Sequence, residues 1–170
     1  SNIEFYPGIP EFFNSMIEDV KNKVKELLGS GKVNGFLGLS EQNGHIGPHL
    51  FCEVDDIDNL VTGDWKRPGD SRYPLNKQLI HLARSYPDNT FGVLVRGCDE
   101  RGLKVLYTWN QLDPNKVIPV GIACPRELAE ACECPQPYPA EFVAGEKAEA
   151  VSSVSVAQID GLDLQGRFAH

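Results

Sequence analysis

Long apolar runs are missing: nothing in the 170 residues approaches the roughly 18 consecutive apolar positions that a membrane-spanning helix needs, so no membrane span is expected. A basic excess is missing too. With 16 Lys and Arg against 24 Asp and Glu the formal net charge is −8, which argues against a nucleic-acid partner, since the phosphate backbone calls for a basic stripe. No secretory signal pattern opens the chain, so a cytoplasmic, reducing setting is the expectation. No Gly-x-Gly-x-x-Gly follows a β-run, which leaves out a nicotinamide-dinucleotide fingerprint. Cysteine is scarce and odd in number: five residues fit poorly with a closed set of disulfides. In a reducing compartment, clustered thiols are more often metal ligands or redox groups.

What is present alternates between helical and strand patterns. "NSMIEDVKNKVKELLGSGK" puts Met16, Val20, Val24 and Leu27 on one helical face, with Ser15 and Glu18 spaced as a capping box and Gly29 or Gly31 as the stop. "VNGFLGL" reads as a short buried strand, and "SEQNGHIGPH" as a loop rich in Gly and His. "LFCEVDDIDNLV" reads as a short strand and a short helix from about Asp55. "RYPLNKQLIHLARSYP" is a second helix, with Leu75, Leu79, Leu82 and Tyr86 on one face. Then come strand "FGVLVRG", helix "DERGLKVLYTWNQL" with Leu103, Leu106 and Trp109 inward, strand "VIPVGIA" and helix "PRELAEA". Strand, helix and strand in close succession make a βαβ unit. The fold class is therefore α/β, a parallel or mostly parallel sheet built from βαβ units with helices on both faces. Residues 1–145 form this domain. "PQPYPAEF" is too proline-rich for regular structure, and 146–170 read as a linker or arm leading to a further C-terminal segment, so that the chain is a portion of something longer.

The chemistry concentrates at two strand ends. "VLVRGCDERGL" and "VGIACPREL" share a plan: a β-run, a small residue, a cysteine, then a helix start. Cys98 and Cys124 thus stand just past the carboxyl ends of two strands, the edge where open α/β sheets bind ligands. If the two strands are neighbours, at about 4.8 Å spacing, the two thiols are expected within about 10 Å of each other. A helix N-terminus favours the thiolate, the form that ligates metal or attacks a substrate. Cys132 and Cys134 follow one short helix later and can fold back over the same edge. Four thiols are the usual ligand number for an iron–sulfur cluster or a structural zinc. A reversible disulfide, inert thiols, or Cys98 as an activated nucleophile are the competing readings. Cys52 stands alone and reads as a small buried hydrophobe.

Three further groups stand out. His45 and His49 are four apart in the presumed loop, suited to hydrogen bonding or a partner contact more than to metal. "GDWKRPGDSRYP" sets Lys66, Arg67 and Arg72 beside Trp65 and Tyr73; a solvated loop is the bland account, a phosphate or flavin cradle the functional one. Arg96, Asp99 and Arg101 around Cys98 suit a local ion network or an anion site.

With "VRGCDERGL", "QLDPNKVIPVGIACP" and "ACECPQPYPAEFVAGE" the chain resembles the coenzyme F-420 hydrogenase/dehydrogenase beta-subunit family, and within it a branch of iron–sulfur (4Fe-4S dicluster) proteins. The resemblance covers about residues 14–147 and is most specific from Phe91 to Gly145. It implies an electron-transfer accessory module of an iron–sulfur oxidoreductase, with no stand-alone turnover. It also implies a [4Fe-4S] cluster on Cys98, Cys124, Cys132 and Cys134, and partners that are other redox subunits or a ferredoxin-like segment of the same protein. Better-known members of the family also bind a flavin (FAD), but no residue here carries over as a flavin contact. One departure stands in the motif: Glu133 alone separates Cys132 from Cys134, where the family pattern has two residues. The alternative function is a non-catalytic docking domain without a bound cluster, gripping a partner through the His45 segment and Trp65–Tyr73.

Overall fold

A computed structural model describes residues 11–64 and 67–151. The chain runs α1 (Glu11–Gly29), β1 (Gly35–Gln42), β2 (His45–Phe51), a 3-10 helix (Val54–Asn59), β3 (Leu60–Val61), α2 (Leu75–Ser85), β4 (Phe91–Val95), α3 (Gly97–Thr108), β5 (Val117–Gly121) and α4 (Arg126–Ala131). The sheet order is β2-β1-β4-β5, with β3 also paired to β1. β1, β4 and β5 are mutually parallel, whereas β2 and β3 run antiparallel to β1, so the α/β class holds with a mixed sheet. α1 packs on β1, β3 and β5, while α2 packs on β4 and β1 and against α3.

The core follows the apolar periodicities. Met16, Val20, Val24 and Leu27 of α1 are buried, as are Leu75 and Leu79 of α2 and every residue of β4. Burial on both faces is what a central parallel strand requires, and it explains the uninterrupted apolar run Phe91–Val95. Tyr86, expected on the inner face of α2, is 54% exposed and touches the core only edge-on, its ring centroid 6.5 Å from that of Phe91.

Several expectations are corrected. α1 starts at Glu11, so Ser15 lies exposed within the helix and does not cap it; a Ser-x-x-Glu pair marks a helix start only where the preceding residues leave the helix. The presumed Gly/His loop is a hairpin: β1 extends to Gln42 and pairs along its length with β2, from Phe36↔Phe51 to Gln42↔His45. The turn is Asn43-Gly44, both with positive φ (53° and 79°), the combination that two-residue hairpin turns need. Trp109, expected inward, is 68% exposed, because α3 ends at Thr108 and the indole stands at the helix terminus, past the turn that faces the sheet. Cys52 is exposed rather than buried, since β2 ends at Phe51 and the chain leaves the core there.

Both sheet edges are closed. On β2, Pro48 has no N–H to offer and the Ile46 carbonyl accepts the Tyr73 hydroxyl at 2.6 Å, which blunts that edge against further pairing. On the far side the segment after Cys134 runs along β5: the Val143 N–H donates to the Gly121 carbonyl at 2.9 Å, and Ile122 and Ala144 form a parallel bridge. "PQPYPAEF" is irregular, as its prolines require, and this segment carries it.

Candidate functional site: two thiols and their arginines at the carboxyl edge

β3 runs antiparallel to β1 and delivers Thr62 and Asp64 to the end of β4, where Arg96 begins the turn into α3. Asp64 and Arg96 are buried, with 4% and 5% exposure. One guanidinium nitrogen of Arg96 lies 2.8 Å from Asp64 Oδ1, 2.7 Å from Oδ2 and 3.2 Å from the Thr62 carbonyl. The Thr62 hydroxyl donates to Asp64 Oδ2 at 3.0 Å, and the Gly69 N–H donates to Oδ1 at 2.7 Å. The carboxylate therefore has four donor contacts in a site closed to water, the condition under which a buried charge is tolerated. Burial works against the Arg96 charge, but Asp64 and, after it, Cys124 raise its pKa above the ordinary arginine value.

The second guanidinium nitrogen of Arg96 contacts Cys124 Sγ at 3.7 Å. Cys124 is buried and fixed by its own backbone, whose N–H donates to the Pro137 carbonyl at 2.7 Å. Burial pushes its thiol pKa up; Arg96 pulls the other way, and the charge of nearby Cys98 adds to the rise. Burial thus works against the thiolate that the helix start alone favours at Cys124. α4 begins two residues later and is only six residues long, too little dipole to offset desolvation.

Cys98 differs. It is exposed, in the first turn of α3, and Arg72 donates to its Sγ at 3.0 Å. Arg72 follows a turn that is pinned by the Gly69 N–H on Asp64 and by the Ser71 N–H on the Gly63 carbonyl at 3.1 Å. Arg72 also lies 3.9 Å from Asp99, whose carboxylate accepts the Arg96 N–H at 2.9 Å and so closes the first turn of α3. One buried carboxylate, Asp64, thus sets both the arginine on Cys124 and the loop that carries the arginine on Cys98. Asp64 was not legible as a site residue. No local signal ties position 64 to 96; only the tertiary path of β3 does.

Cys134 and Cys132 fall around the same end of the domain. Arg101, one turn along α3 from Cys98, donates to the Gln136 carbonyl at 3.1 Å and contacts Cys134 Sγ at 3.9 Å. Cys132 is exposed at the end of α4, and Glu133 between the two takes a positive φ of 46°. Gly97 lets the segment lie this close, because a Cβ there would meet the Gln136 carbonyl and stand 2.8 Å from that of Tyr138. Among the described residues, no group of three or more His, Cys, Asp and Glu side chains is placed to hold one metal ion. As placed, Cys98 meets Arg72, Cys124 meets Arg96 and Cys134 meets Arg101, while Cys132 is exposed.

The other sequence candidates lie elsewhere. His45 is exposed, and His49 packs edge-on against Phe51 at 4.7 Å between ring centroids. Trp65 and Lys66 fall outside the described residues, as does the arm beyond Val151. Among the described residues, no helix is long and apolar enough to cross a membrane.

The class this architecture defines is an α/β domain with an arginine-flanked thiol pair at the carboxyl edge of a mixed sheet. No family model matches the chain, and no curated protein does. Among solved structures it is similar to a chain of the F420-reducing [NiFe] hydrogenase complex from Methanosarcina barkeri, studied by xenon derivatization, with a TM-score of 0.47 and 20% identity. The match covers 65% of this chain and 40% of that one. A likeness of that depth carries no chemistry.

Proposed function

We propose that the chain is an electron-transfer accessory module of an iron–sulfur oxidoreductase of the hydrogenase/dehydrogenase beta-subunit kind. Cys98, Cys124, Cys132 and Cys134 would be the thiols that hold its cluster. The observation that carries this reading is the Cys98–Cys124 pair at the carboxyl edge, each sulfur contacted by an arginine. Cationic guanidinium groups offset the negative charge that accumulates where several thiolates gather, and they tune the potential of whatever redox group sits there. A cluster would supply one-electron transfer; this chain's residues would supply the ligands, the buried Arg96 charge and a closed edge behind Cys124. In this reading the cytoplasmic partners are other redox subunits or a ferredoxin-like segment, and a flavin, where present, belongs to the family resemblance alone.

The single residue between Cys132 and Cys134 favours a second reading: a docking domain that binds no cluster. Anaerobic reconstitution with ferrous iron and sulfide separates the two, followed by absorbance and by EPR of the reduced sample. The first reading expects a stoichiometric cluster in the intact chain, and its loss in Cys98→Ser/Cys124→Ser and in Cys132→Ser/Cys134→Ser. No cluster in the intact chain, or full occupancy after Cys98 and Cys124 are both replaced, leaves the docking reading.

A further inference from the structure

The surface of α2 and the end of α3 carries charge of the opposite sign to the chain as a whole. α2 has no Asp or Glu, and Lys77, His81 and Arg84 recur at i, i+4 and i+7, forming one exposed stripe. Val105 of α3 and Trp109, at its C-cap, are 46% and 68% exposed, and the Lys104 side chain, 63% exposed, lies 3.7 Å from Glu100. The end of the stripe is tied to the backbone at Trp109: Arg84 donates to Gln111 Oε1 at 2.6 Å, and Gln111 Nε2 donates to the Trp109 carbonyl at 3.4 Å. The acids of α3, Asp99 and Glu100, are in its first turn, at the opposite end from Trp109. Asp88 lies past the end of α2, and Asp113 turns its carboxylate onto the Asn115 N–H. Most of the exposed acid lies elsewhere, with Glu53, Asp55, Asp56 and Asp58 gathered at the 3-10 helix that packs against α1.

We propose that this α2–α3 surface is a docking face for an acidic protein segment, whose carboxylates lie along Lys77 and Arg84 and whose apolar recess takes the Trp109 indole. Trp and Arg are the residues most enriched among those that dominate binding energy, and here both are solvent-facing and linked through Gln111. Charge complementarity selects the partner. A nucleic acid is disfavoured, because a few cations on a chain of net charge −8 make no track for a phosphate backbone. The face lies apart from the thiols, so it stands or falls independently of the cluster reading.

The test is selection of random short peptides displayed on phage against the immobilised chain, with Kd then measured for the chain, Trp109→Ala and Lys77→Glu/Arg84→Glu. The expected result is enrichment of acidic peptides carrying aliphatic or aromatic residues. Their Kd rises about 30-fold in each variant and also rises as salt goes from about 0.05 to about 0.5 M. The substituted positions are exposed, so far-ultraviolet circular dichroism of both variants should match the parent. No enrichment, neutral or basic peptides, or peptides that bind the variants as tightly as the parent would overturn the proposal. So would a short DNA duplex that binds this face more tightly than the selected peptides do.

Discussion

Replacing Asp64 by Ala should be the most damaging single change at the carboxyl edge. The substitution leaves Arg96, 5% exposed, charged and without its counter-ion. Breaking a buried ion pair from one side costs about 3–5 kcal/mol. The Thr62 hydroxyl and the Gly69 N–H lose their acceptor as well, each worth about 1 kcal/mol or more where water cannot replace it. The stranded guanidinium outweighs those two lost bonds, so Asp64→Asn, which keeps the shape and an acceptor oxygen, should still cost about 3 kcal/mol. For a chain of this size that is a fall in Tm of roughly 6–20 °C across the series. Urea unfolding followed by circular dichroism measures it. The double variant Asp64→Leu/Arg96→Met should cost less than the sum of the singles, with a coupling of about 2 kcal/mol. An Asp64→Ala protein within about 1 kcal/mol of the parent, or additive singles, would refute the claim that this carboxylate organises the edge.

Three further outcomes follow from the same geometry. Gly97→Ala drives a methyl group into the Gln136 and Tyr138 carbonyls, so the segment from Cys134 to Gly145 should loosen, with faster limited proteolysis between 134 and 151 and a stability loss of about 1–3 kcal/mol; unchanged cleavage there counts against the close approach. Cys124 has its thiol pKa raised in the folded state, so in the unfolded chain it ionises first as pH climbs. Its contribution is complete below the unfolded thiol pKa of about 8.5 and is lost as pH rises toward the folded value, so urea midpoints should fall between about pH 8 and pH 10, and less so in Cys124→Ala. Alkylation at neutral pH followed by mass spectrometry should mark Cys98 well before Cys124, because one is exposed beside a guanidinium and the other buried and protonated; equal rates would contradict both placements.

The parallel part of the fold was legible because burial on both faces leaves a plain signature, the unbroken apolar run of β4 between two helical patterns. The antiparallel part was not. Gln42-Asn43-Gly44-His45 looks like loop chemistry when read by composition, and it becomes a hairpin only when Asn43-Gly44 is read as two positive-φ residues between strands. Trp109 was misjudged because helical periodicity was extended past the end of α3. At the site, the shared plan of two strand ends was legible: Cys98 opens α3 just after β4, and Cys124 follows β5. The protonation of Cys124 was not legible, since burial and a tertiary arginine decide it, and neither is written near that residue in the chain.

Asp64 explains why two cysteines in matching sequence settings end in different surroundings. Both follow a strand, and both have an arginine on the sulfur. Arg96, however, is held on both sides, by Asp64 and by the thiol, and its positive field is largely answered by a carboxylate less than 3 Å away. What remains for Cys124 is too weak to overcome desolvation, and its pKa is raised. Arg72 is shared only loosely, with Asp99 at 3.9 Å, and its contact with Cys98 at 3.0 Å is made at an exposed sulfur. A cation or an electrophile reaching this edge therefore meets Cys98 first, and Cys124 joins only after giving up a proton beside Arg96. The asymmetry comes from one acid thirty-two positions upstream of the arginine it neutralises, delivered there by a strand of two residues.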